Sequence, residues 1–386
     1  MSETADVVII GGGIVGSSIA YHLTAAGCHD VLVIERETYQ GKGSTGKSMG
    51  GVRAQFTSEP NIRMSLYSIP FFQNFETTIG HPSGYKPQGY LFVATHSDHL
   101  TYLKKNLQLQ VSLGLKTAHM LTRHEIVEML PQIRSDDILG GSFCTTDGFV
   151  DPYSVMMGFI TRATANGARL WRDTEVTGID SDSDGVAGVR TSKGAVAART
   201  IVSAAGPWAA EVARMVGVQV PVEPLRRMLI PTEPFDELPR LTPMVIDMAT
   251  GFHFRPEGLG LLLAWNDPQE TPGFKTGFDP DFIEKVLTRA VDRFPCFERL
   301  EVNPKRAWAG LYEMTPDHHC ILGPVESVRG FFLANGFSGH GVMHSPATGR
   351  IVSDLILKGT TELIDPESLS LARFSENRMI HEAAVL

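Results

Sequence analysis

Three glycines near the start of the chain have the spacing of a nucleotide-binding turn. Gly11, Gly13 and Gly16 follow the mostly apolar residues 6–10 and precede a segment with helical periodicity. Glycines at these positions let the backbone approach a pyrophosphate, whose charge the N-terminus of the helix stabilises. Glu35 stands 19 residues after Gly16 and ends a second apolar run, where a carboxylate accepts hydrogen bonds from ribose hydroxyls. These residues predict a site for an adenine dinucleotide, either NAD or FAD.

A second glycine-rich segment, residues 41–48, matches the P-loop pattern G-x-x-x-x-G-K-[ST] letter for letter. A P-loop needs a strand directly before it and a helix directly after it. Here five residues separate the segment from Glu35, and residues 49–51 include two glycines, which disfavour a helix. We therefore interpret the segment as a loop against the dinucleotide and keep ATP or GTP hydrolysis as a remote alternative. The residues that offer it hydroxyl groups or a charge are Ser44, Thr45, Lys47 and Ser48.

The elements that must position these residues follow two different patterns. Short buried strands of the nucleotide-binding type are predicted at residues 6–10, 31–34, 200–206 and 330–335, and a meander of strands over 171–201. Helices are predicted over residues 17–26, 99–114, 122–130, 153–166, 282–294 and 345–358. Because the nucleotide-type signals lie at both ends and around residue 200, we expect one discontinuous cofactor domain that a second domain interrupts. The expected boundaries are 1–85, 142–220 and 321–386 for the FAD- or NAD-binding domain, and 86–141 and 221–320 for the substrate domain.

The composition narrows the classes of function. The chain has 386 residues and a formal net charge of −9, so no general field attracts nucleic acid. No apolar run approaches the roughly 18–20 residues of a membrane span, and the acidic N-terminus is unlike a signal peptide. The four scattered cysteines fit neither a zinc site nor a disulfide framework, which favours the cytoplasm. His318 and His319 lie beside Asp317, but adjacent strand residues point to opposite faces and no third ligand is evident, so we expect no metal.

Six motifs occur in a fixed order along the whole chain. The first is the glycine turn, and the others are GSTGKSMGGVRAQF at 43–56, GFVDP at 148–152, SAAGPW at 203–208, RAWAGLYEMTPD at 306–317 and NGFSGHG at 335–341. In this order they resemble the D-amino-acid-oxidase-type flavoproteins, most of all the branch of sarcosine oxidase, glycine oxidase, dimethylglycine dehydrogenase and the proline dehydrogenase β-subunit. The resemblance implies an α/β fold with a Rossmann-like, glutathione-reductase-type FAD-binding domain, discontinuous in sequence. It also implies an α+β substrate domain with a mixed antiparallel sheet.

The resemblance implies FAD as the cofactor and also how it is held. Val176 would meet the adenine through its backbone, and the loop 336–341 would lie against the isoalloxazine before a helix that begins at Ser345. Gly310 stands where monomeric sarcosine oxidases have a flavin-linking cysteine, and Lys47 where dimethylglycine dehydrogenases have a histidine, so we expect non-covalent FAD. The further residues that the resemblance assigns to FAD are Ile14, Val15, Arg36, Met49, Gly50, Ala205, Gly206, Trp208, Gly336, Gly339, His340, Gly341, Val342 and Met343.

The resemblance implies oxidation of an amine C–N bond to an imine, by hydride transfer to flavin N5. Arg53 matches an arginine that binds the substrate carboxylate in sarcosine oxidases, and a guanidinium fork suits that group. Tyr312, which stands where glycine oxidases have an arginine, is a second candidate for the carboxylate. Arg255 is another, although an ion pair is the expectation there. The polar groups available to receive the proton of the amine are Tyr312, His253 and His340.

The electron acceptor stays open between oxygen, a quinone and a partner protein. Leu262 stands where sarcosine oxidases carry a lysine that promotes reaction with oxygen, and Lys47 is the candidate to supply a cation from the other side. The expected partners are therefore a small amine or amino acid and an electron acceptor, without nucleic acid or a membrane span. The alternative is a non-catalytic or electron-transferring flavoprotein subunit of a larger complex.

Overall fold

The computed structural model describes residues 3–383, so the outermost predicted domain limits, residues 1 and 386, lie outside the described residues. The strands are β1 (Glu3–Thr4), β2 (Val7–Ile10), β3 (Val31–Ile34), β4 (Gly51–Val52), β5 (Tyr90–Ala94), β6 (Ala118–Leu121), β7 (Gly140–Cys144), β8 (Gly148–Phe149), β9 (Arg169–Trp171), β10 (Val176–Asp182), β11 (Gly185–Thr191), β12 (Gly194–Ala197), β13 (Thr200–Ser203), β14 (Glu223–Pro231), β15 (Met244–Asp247), β16 (His253–Glu257), β17 (Gly260–Ala264), β18 (Trp308–Met314), β19 (Ile321–Pro324) and β20 (Phe331–Asn335). The helices are α1 (Ile14–Ala25), α2 (Glu59–Gln73), α3 (Phe75–Ile79), α4 (Ser97–Ser112), α5 (Arg123–Met129), α6 (Pro152–Ala165), α7 (Ala209–Arg214), α8 (Asp281–Arg293) and α9 (Gly341–Lys358).

A six-stranded sheet joins segments from the start, the middle and the end of the chain. Its order is β19-β20-β13-β2-β3-β9, and all neighbours are parallel except the edge pair β19–β20. Every residue of β2 is buried because α1 and α9 cover one face and the four-stranded sheet β1-β12-β11-β10 covers the other. Strands covered on both faces read as continuous apolar runs. The predicted α/β fold with a sequence-discontinuous Rossmann-like part is therefore confirmed.

An eight-stranded mixed sheet faces this unit. Its order is β18-β14-β17-β16-β15-β5-β7-β6. Within this sheet, as far as residues 3–383 show it, β15 and β5 are the only parallel neighbours. Phe254 and Leu263 pack on one of its faces with Phe282 and Val286 of α8. The predicted boundary at residue 142 falls inside β7, a strand of this sheet. The exact division into two domains stays a prediction.

Two helical regions differ from the sequence-based expectation. Residues 59–79 carried no predicted element, yet they form α2 and α3, although α2 contains Pro70. The last helix begins at Gly341 and not at the predicted Ser345. Pro346 therefore lies inside α9 and not at its start. A proline cannot bond the carbonyl four residues earlier. The hydroxyl of Ser345 donates to that carbonyl of Val342 at 2.8 Å instead.

No helix within residues 3–383 is both long enough and apolar enough to cross a membrane.

A buried ion pair fastens the C-terminal segment to the turn before β19. Arg373 and Asp317 have no exposed side-chain surface, and two nitrogens of Arg373 donate to the two carboxylate oxygens at 2.8 and 3.0 Å. Arg373 also donates to the carbonyls of Leu369 and His319. The Arg373 guanidinium holds the pKa of Asp317 below its usual range, although burial of the carboxyl acts in the opposite direction.

We expect Arg373→Ala to lower the free energy of unfolding by about 3–5 kcal/mol, because it leaves Asp317 as a buried charge without its partner. Urea denaturation of the purified variant measures this loss. The control is Arg63→Ala, which removes an ion pair whose partner Glu59 is half exposed and which is worth about 1 kcal/mol or less. Equal losses for both variants would contradict the structural role of Arg373.

Candidate active site

A cavity lies between the two large sheets. Residues from the start, the middle and the end of the chain, the three segments that the six-stranded sheet joins, line it. It is bounded by the glycine turn, the loop 41–49, the start of β10, the residues after β13, strands β14 and β18, and the start of α9. The residues predicted to bind FAD that line it are Gly11, Gly13, Ile14, Val15, Glu35, Arg36, Ser44, Thr45, Lys47, Ser48, Met49, Val176, Ala205, Gly206, Trp208, Gly310, Gly339, Gly341 and Val342.

The glycine turn is built so tightly that only backbone fits. A Cβ on Gly11 would lie 2.3 Å from the carbonyl oxygen of Ala204, and one on Gly16 would lie 2.0 Å from the carbonyl oxygen of Gly11. Gly11 has a φ of +110°, which other residues rarely adopt. Glu35 fixes the turn by accepting the N–H of Gly12 at 3.0 Å while it also lines the cavity. The turn and its acidic partner thus lie together, as the spacing predicts.

The loop 41–49 lacks the context of a P-loop. Residues 45–47 form a single 3₁₀ turn, and the short strand β4 follows in place of a helix. Thr45 accepts the N–H of Ile14 at 3.1 Å, and Ser44 donates to the carbonyl of Leu311 at 2.7 Å. These bonds tie the loop both to the start of α1 and to β18. It serves as a wall of the cavity.

Strands β14, β16, β17 and β18 supply the opposite wall. Arg227 lies opposite Gly310 in the pairing of β14 with β18, and Tyr312 lies two residues beyond Gly310. The side chains of Arg227 and Tyr312 therefore point to the same face of the sheet. His253 lies on this face as well, and the cavity is lined by it, by Lys47 and by Tyr312. The catalytic candidates Lys47, His253 and Tyr312 are thus brought together.

His253 is a neutral hydrogen-bond acceptor in this wall. Burial lowers the pKa of His253 to about 4, and the positive charge of Arg227 adds to the effect. Its Nδ1 lies 3.0 Å from the carbonyl oxygen of Gly251, so Nδ1 must carry the hydrogen. Nε2 therefore keeps its lone pair. Burial also raises the pKa of Tyr312, which keeps the phenol protonated.

The loop 336–340 closes the cavity above the start of α9. Gly339 has a φ of +94°, and a Cβ there would lie 2.4 Å from the ring of Tyr312. Glu313 holds this loop twice, because its carboxylate accepts the N–H of Gly336 at 2.8 Å and its carbonyl accepts the N–H of Ser338 at 3.0 Å. Burial raises the pKa of Glu313 to about 7. Since α9 begins at Gly341, its N-terminus lies at the cavity itself.

Arg53 and His340 lie behind the cavity lining. Arg53 is 1% exposed, donates to the carbonyl of Gln55 at 2.7 Å and lies 3.3 Å from Nε2 of His340. Its guanidinium also stacks 3.9 Å above the ring of Phe56. Burial, and then the charge of Arg53, lower the pKa of His340 well below its usual value. Neither residue lines the cavity. Their predicted roles stay predictions.

The remaining candidates have supporting positions. Arg255 donates to the carbonyl of Met49 at 2.6 Å and pairs with Glu257, which is the expected ion pair. Leu262 is buried in β17. The predicted cofactor residues that do not line the cavity are Gly16, Gly50, Gly336, His340 and Met343.

The His318–His319 pair lies in a turn, so the premise that both stand in a strand is wrong. His318 has a φ of +61°, and β19 begins only at Ile321. His319 bonds Ser58 through Nε2 at 2.7 Å and the carbonyl of Asp317 through Nδ1 at 2.9 Å. In the part of the chain that the structure describes, no group of three or more His, Cys, Asp or Glu side chains is placed to hold a metal.

Sequence reasoning missed Arg227 and Glu313, which both line the cavity. A signal for Arg227 was present: Arg226 and Arg227 are adjacent in a strand, so one of them must face inward. Nothing in the local pattern distinguishes Glu313 from a solvent-facing glutamate.

Comparison with known proteins identifies the relatives of this chain. The model of the family "FAD dependent oxidoreductase" (DAO) matches residues 6–355. FAD-dependent oxidoreductase domain-containing protein 1 of Xenopus laevis is 32% identical over 96% of this chain and 83% of its own length. Mitochondrial dimethylglycine dehydrogenase of Homo sapiens is 31% identical over 92% of this chain, which spans only 43% of that protein. The crystal structure of L-proline dehydrogenase from P. horikoshii superposes with a TM-score of 0.91 at 30% identity and covers 98% of this chain and 99% of its own.

We expect Glu313 to make the flavin-free protein less stable as the pH rises from about 4.5 to about 7. Its pKa is about 7 in the folded chain and 4.5 ordinarily, so the fold favours the protonated carboxyl. The stabilisation is complete below the ordinary pKa and is lost as the pH passes the folded one, by about 3 kcal/mol for a shift of this size. Glu313→Gln stays neutral, so its loss of stability between pH 5 and pH 8 should be smaller by up to that amount.

Urea denaturation at the two pH values measures the difference. The exposed residue Glu76 provides the control, Glu76→Gln, which should follow the wild type. If Glu313→Gln shows the same pH dependence as the wild type, the carboxyl of Glu313 does not titrate in this range.

Proposed function

This chain belongs to the FAD dependent oxidoreductase (DAO) family, and on that premise we propose that it oxidises the C–N bond of an amino acid or N-alkyl amine to an imine. The observation that carries the proposal is one cavity that joins the glycine turn to Tyr312, His253 and Arg227. Dimethylglycine dehydrogenase, L-proline dehydrogenase and a 27% identical glycine oxidase are all named for small amino-acid substrates. We extend that substrate class to this chain.

The residues of the cavity fit FAD. The backbone of Gly11 and Gly13 would hold the pyrophosphate at the start of α1, and the carboxylate of Glu35 would hold the ribose. At Gly339 and Gly310 a Cβ would lie 2.4 Å from the ring of Tyr312 and 2.6 Å from Cβ of Lys47, so the wall presents backbone at these positions, which suits a flat ring system. We propose non-covalent binding because none of the four cysteines lines the cavity, and acid precipitation should then release the flavin.

When bound, FAD would accept a hydride at N5 from the carbon beside the amine nitrogen. The chain must present this amine as the free base, because the nitrogen lone pair drives formation of the imine. Free aliphatic amines have a pKa of about 10. Removal from water favours the neutral amine, and Nε2 of His253, which stays neutral itself, offers a hydrogen-bond acceptor to the N–H of that amine.

The choice of electron acceptor depends on which cations lie near the proposed position of the flavin ring. Leu262 supplies none, whereas Lys47 lines the cavity from the loop that faces Gly310. We propose that reoxidation uses oxygen with help from Lys47, or another acceptor. The location in the cell stays a prediction: the scattered cysteines favour the cytoplasm, whereas the dimethylglycine dehydrogenase relative is named as mitochondrial.

We expect at least one small amino acid or N-alkyl amino acid to bleach the yellow FAD of the purified protein under anaerobic conditions. The test set is glycine, L-proline, sarcosine, dimethylglycine and N-ethylglycine, with absorbance near 450 nm as the readout and dithionite as the control for full reduction. Admission of air then shows whether oxygen restores the colour. Flavin that dithionite bleaches but none of these amines reduces would contradict the proposed function and favour an electron-transferring subunit.

A further inference from the structure

The wall that β14, β16, β17 and β18 form contains a cation, Arg227, that has no carboxylate partner within residues 3–383. Arg227 lines the cavity from β14, beside Gly310. The only hydrogen bond of its side chain within residues 3–383 runs from Nη1 to the carbonyl of Arg226 at 3.2 Å. Its Nε is buried and has no partner among these residues. A guanidinium has five N–H donors, so most of them remain for a ligand.

The adjacent residue on the strand has the opposite environment. Arg226 points to the other face of the sheet, where Nε donates to Glu270 at 2.7 Å and Nη1 donates to the carbonyl of Gly277 at 2.9 Å. The two arginines therefore differ in one respect that matters. Arg226 is neutralised inside the chain, whereas Arg227 keeps its charge for the cavity.

The acids near Arg227 are already paired with other cations. Glu270 is shared between Arg226 and Lys275, whose Nζ lies 2.8 Å away. Asp267 pairs with Lys285 at 2.9 Å. This side of the cavity therefore carries more positive than negative charge. A buried charge is costly unless it is paired, so the imbalance favours an anionic ligand.

The neighbours of Arg227 point its charge toward the reaction site. The guanidinium carbon lies 5.4 Å from the centre of the Tyr312 ring, which also contacts the Gly339 loop. Its charge is felt at His253, where it adds to the effect of burial and lowers the pKa of the imidazole, which stays a neutral hydrogen-bond acceptor. The glycine turn, which suits the pyrophosphate, belongs to the other sheet. An anion at Arg227 would thus belong to the molecule that reacts beside Tyr312 and His253.

We propose that Arg227 binds the carboxylate of the substrate, so that the cavity selects amines that carry a carboxylate over uncharged amines. This inference rests on the proposed function and deepens it. It assigns to a residue of β14 the role that the family resemblance assigns to Arg53. The side chain of Arg53 lies behind the cavity lining, against the ring of Phe56. A guanidinium and a carboxylate form two parallel hydrogen bonds, and that fork would orient the amine end toward His253.

The test uses the FAD-loaded protein and an unreactive pair of probes, propionate and its neutral isostere propionamide. Binding is followed by the change in the visible absorbance of the flavin. We expect propionate to bind wild type more tightly than propionamide does. Arg227→Gln should weaken propionate about tenfold or more and change propionamide less than about threefold. The matched control is Arg226→Gln, which removes the neighbouring guanidinium and should leave propionate binding unchanged.

Three binding results would overturn the inference. They are equal binding of the two probes to wild type, loss of propionate binding in Arg226→Gln but not in Arg227→Gln, and loss in Arg53→Gln with Arg227→Gln unaffected. FAD content is measured for every variant. If Arg227→Gln loses FAD, Arg227→Met, which keeps an unbranched apolar stem, takes its place. Loss of FAD in both variants would show that Arg227 serves the cofactor and would also overturn the inference. Because propionate is not oxidised, failure of the amine screen leaves this result intact.

Discussion

The structure depends on one constraint: around the cavity, glycine backbone packs against neighbouring backbone and rings so closely that any side chain would collide. At Gly11 and Gly16 the next atoms are carbonyl oxygens about 2 Å from where a Cβ would stand, and at Gly339 the ring of Tyr312 fills that place. These positions lie more than three hundred residues apart in the sequence. The six-stranded sheet brings them together, because β2, β13 and β20 are neighbours in it. The eight-stranded sheet, whose strands come from the chain between β3 and β19, forms the wall of the cavity opposite the glycine turn.

The electrostatics of the cavity follow from burial. His253, His340 and Tyr312 are all kept neutral by removal from water, and Glu313 is shifted toward its protonated form. A free-base amine is compatible with such surroundings, since none of these groups forces a charge on it. Arg227 is the exception, because a guanidinium stays charged even when burial lowers its pKa. A fixed cation beside the neutral groups of Tyr312 and His253 suits a substrate with one anionic end and one neutral amine end.

The sequence predicted the parts of the site whose chemistry is local. The glycine turn, Glu35 and the loop at 43–50 are recognisable because spacing alone dictates the backbone path. Arg53 shows where this reasoning ends. It follows the loop 41–49 in sequence, but whether its side chain faces the cavity or packs against the ring of Phe56 depends on tertiary packing. The start of α9 was missed because a serine before a proline reads as a helix start, and only the structure shows Ser345 bonding the carbonyl that Pro346 leaves free. Arg227 was missed because its meaning depends on which neighbour meets Glu270.

The most direct test of the central claim is hydrogen–deuterium exchange on the flavin-free protein with and without saturating FAD. If segments from the whole chain enclose one cofactor, FAD should slow exchange together in peptides that cover residues 11–16, 43–50 and 336–343. Protection confined to residues 11–16, with the exchange of the other two segments unchanged, would contradict the account. It would mean that the glycine turn binds its ligand without the loop before α9.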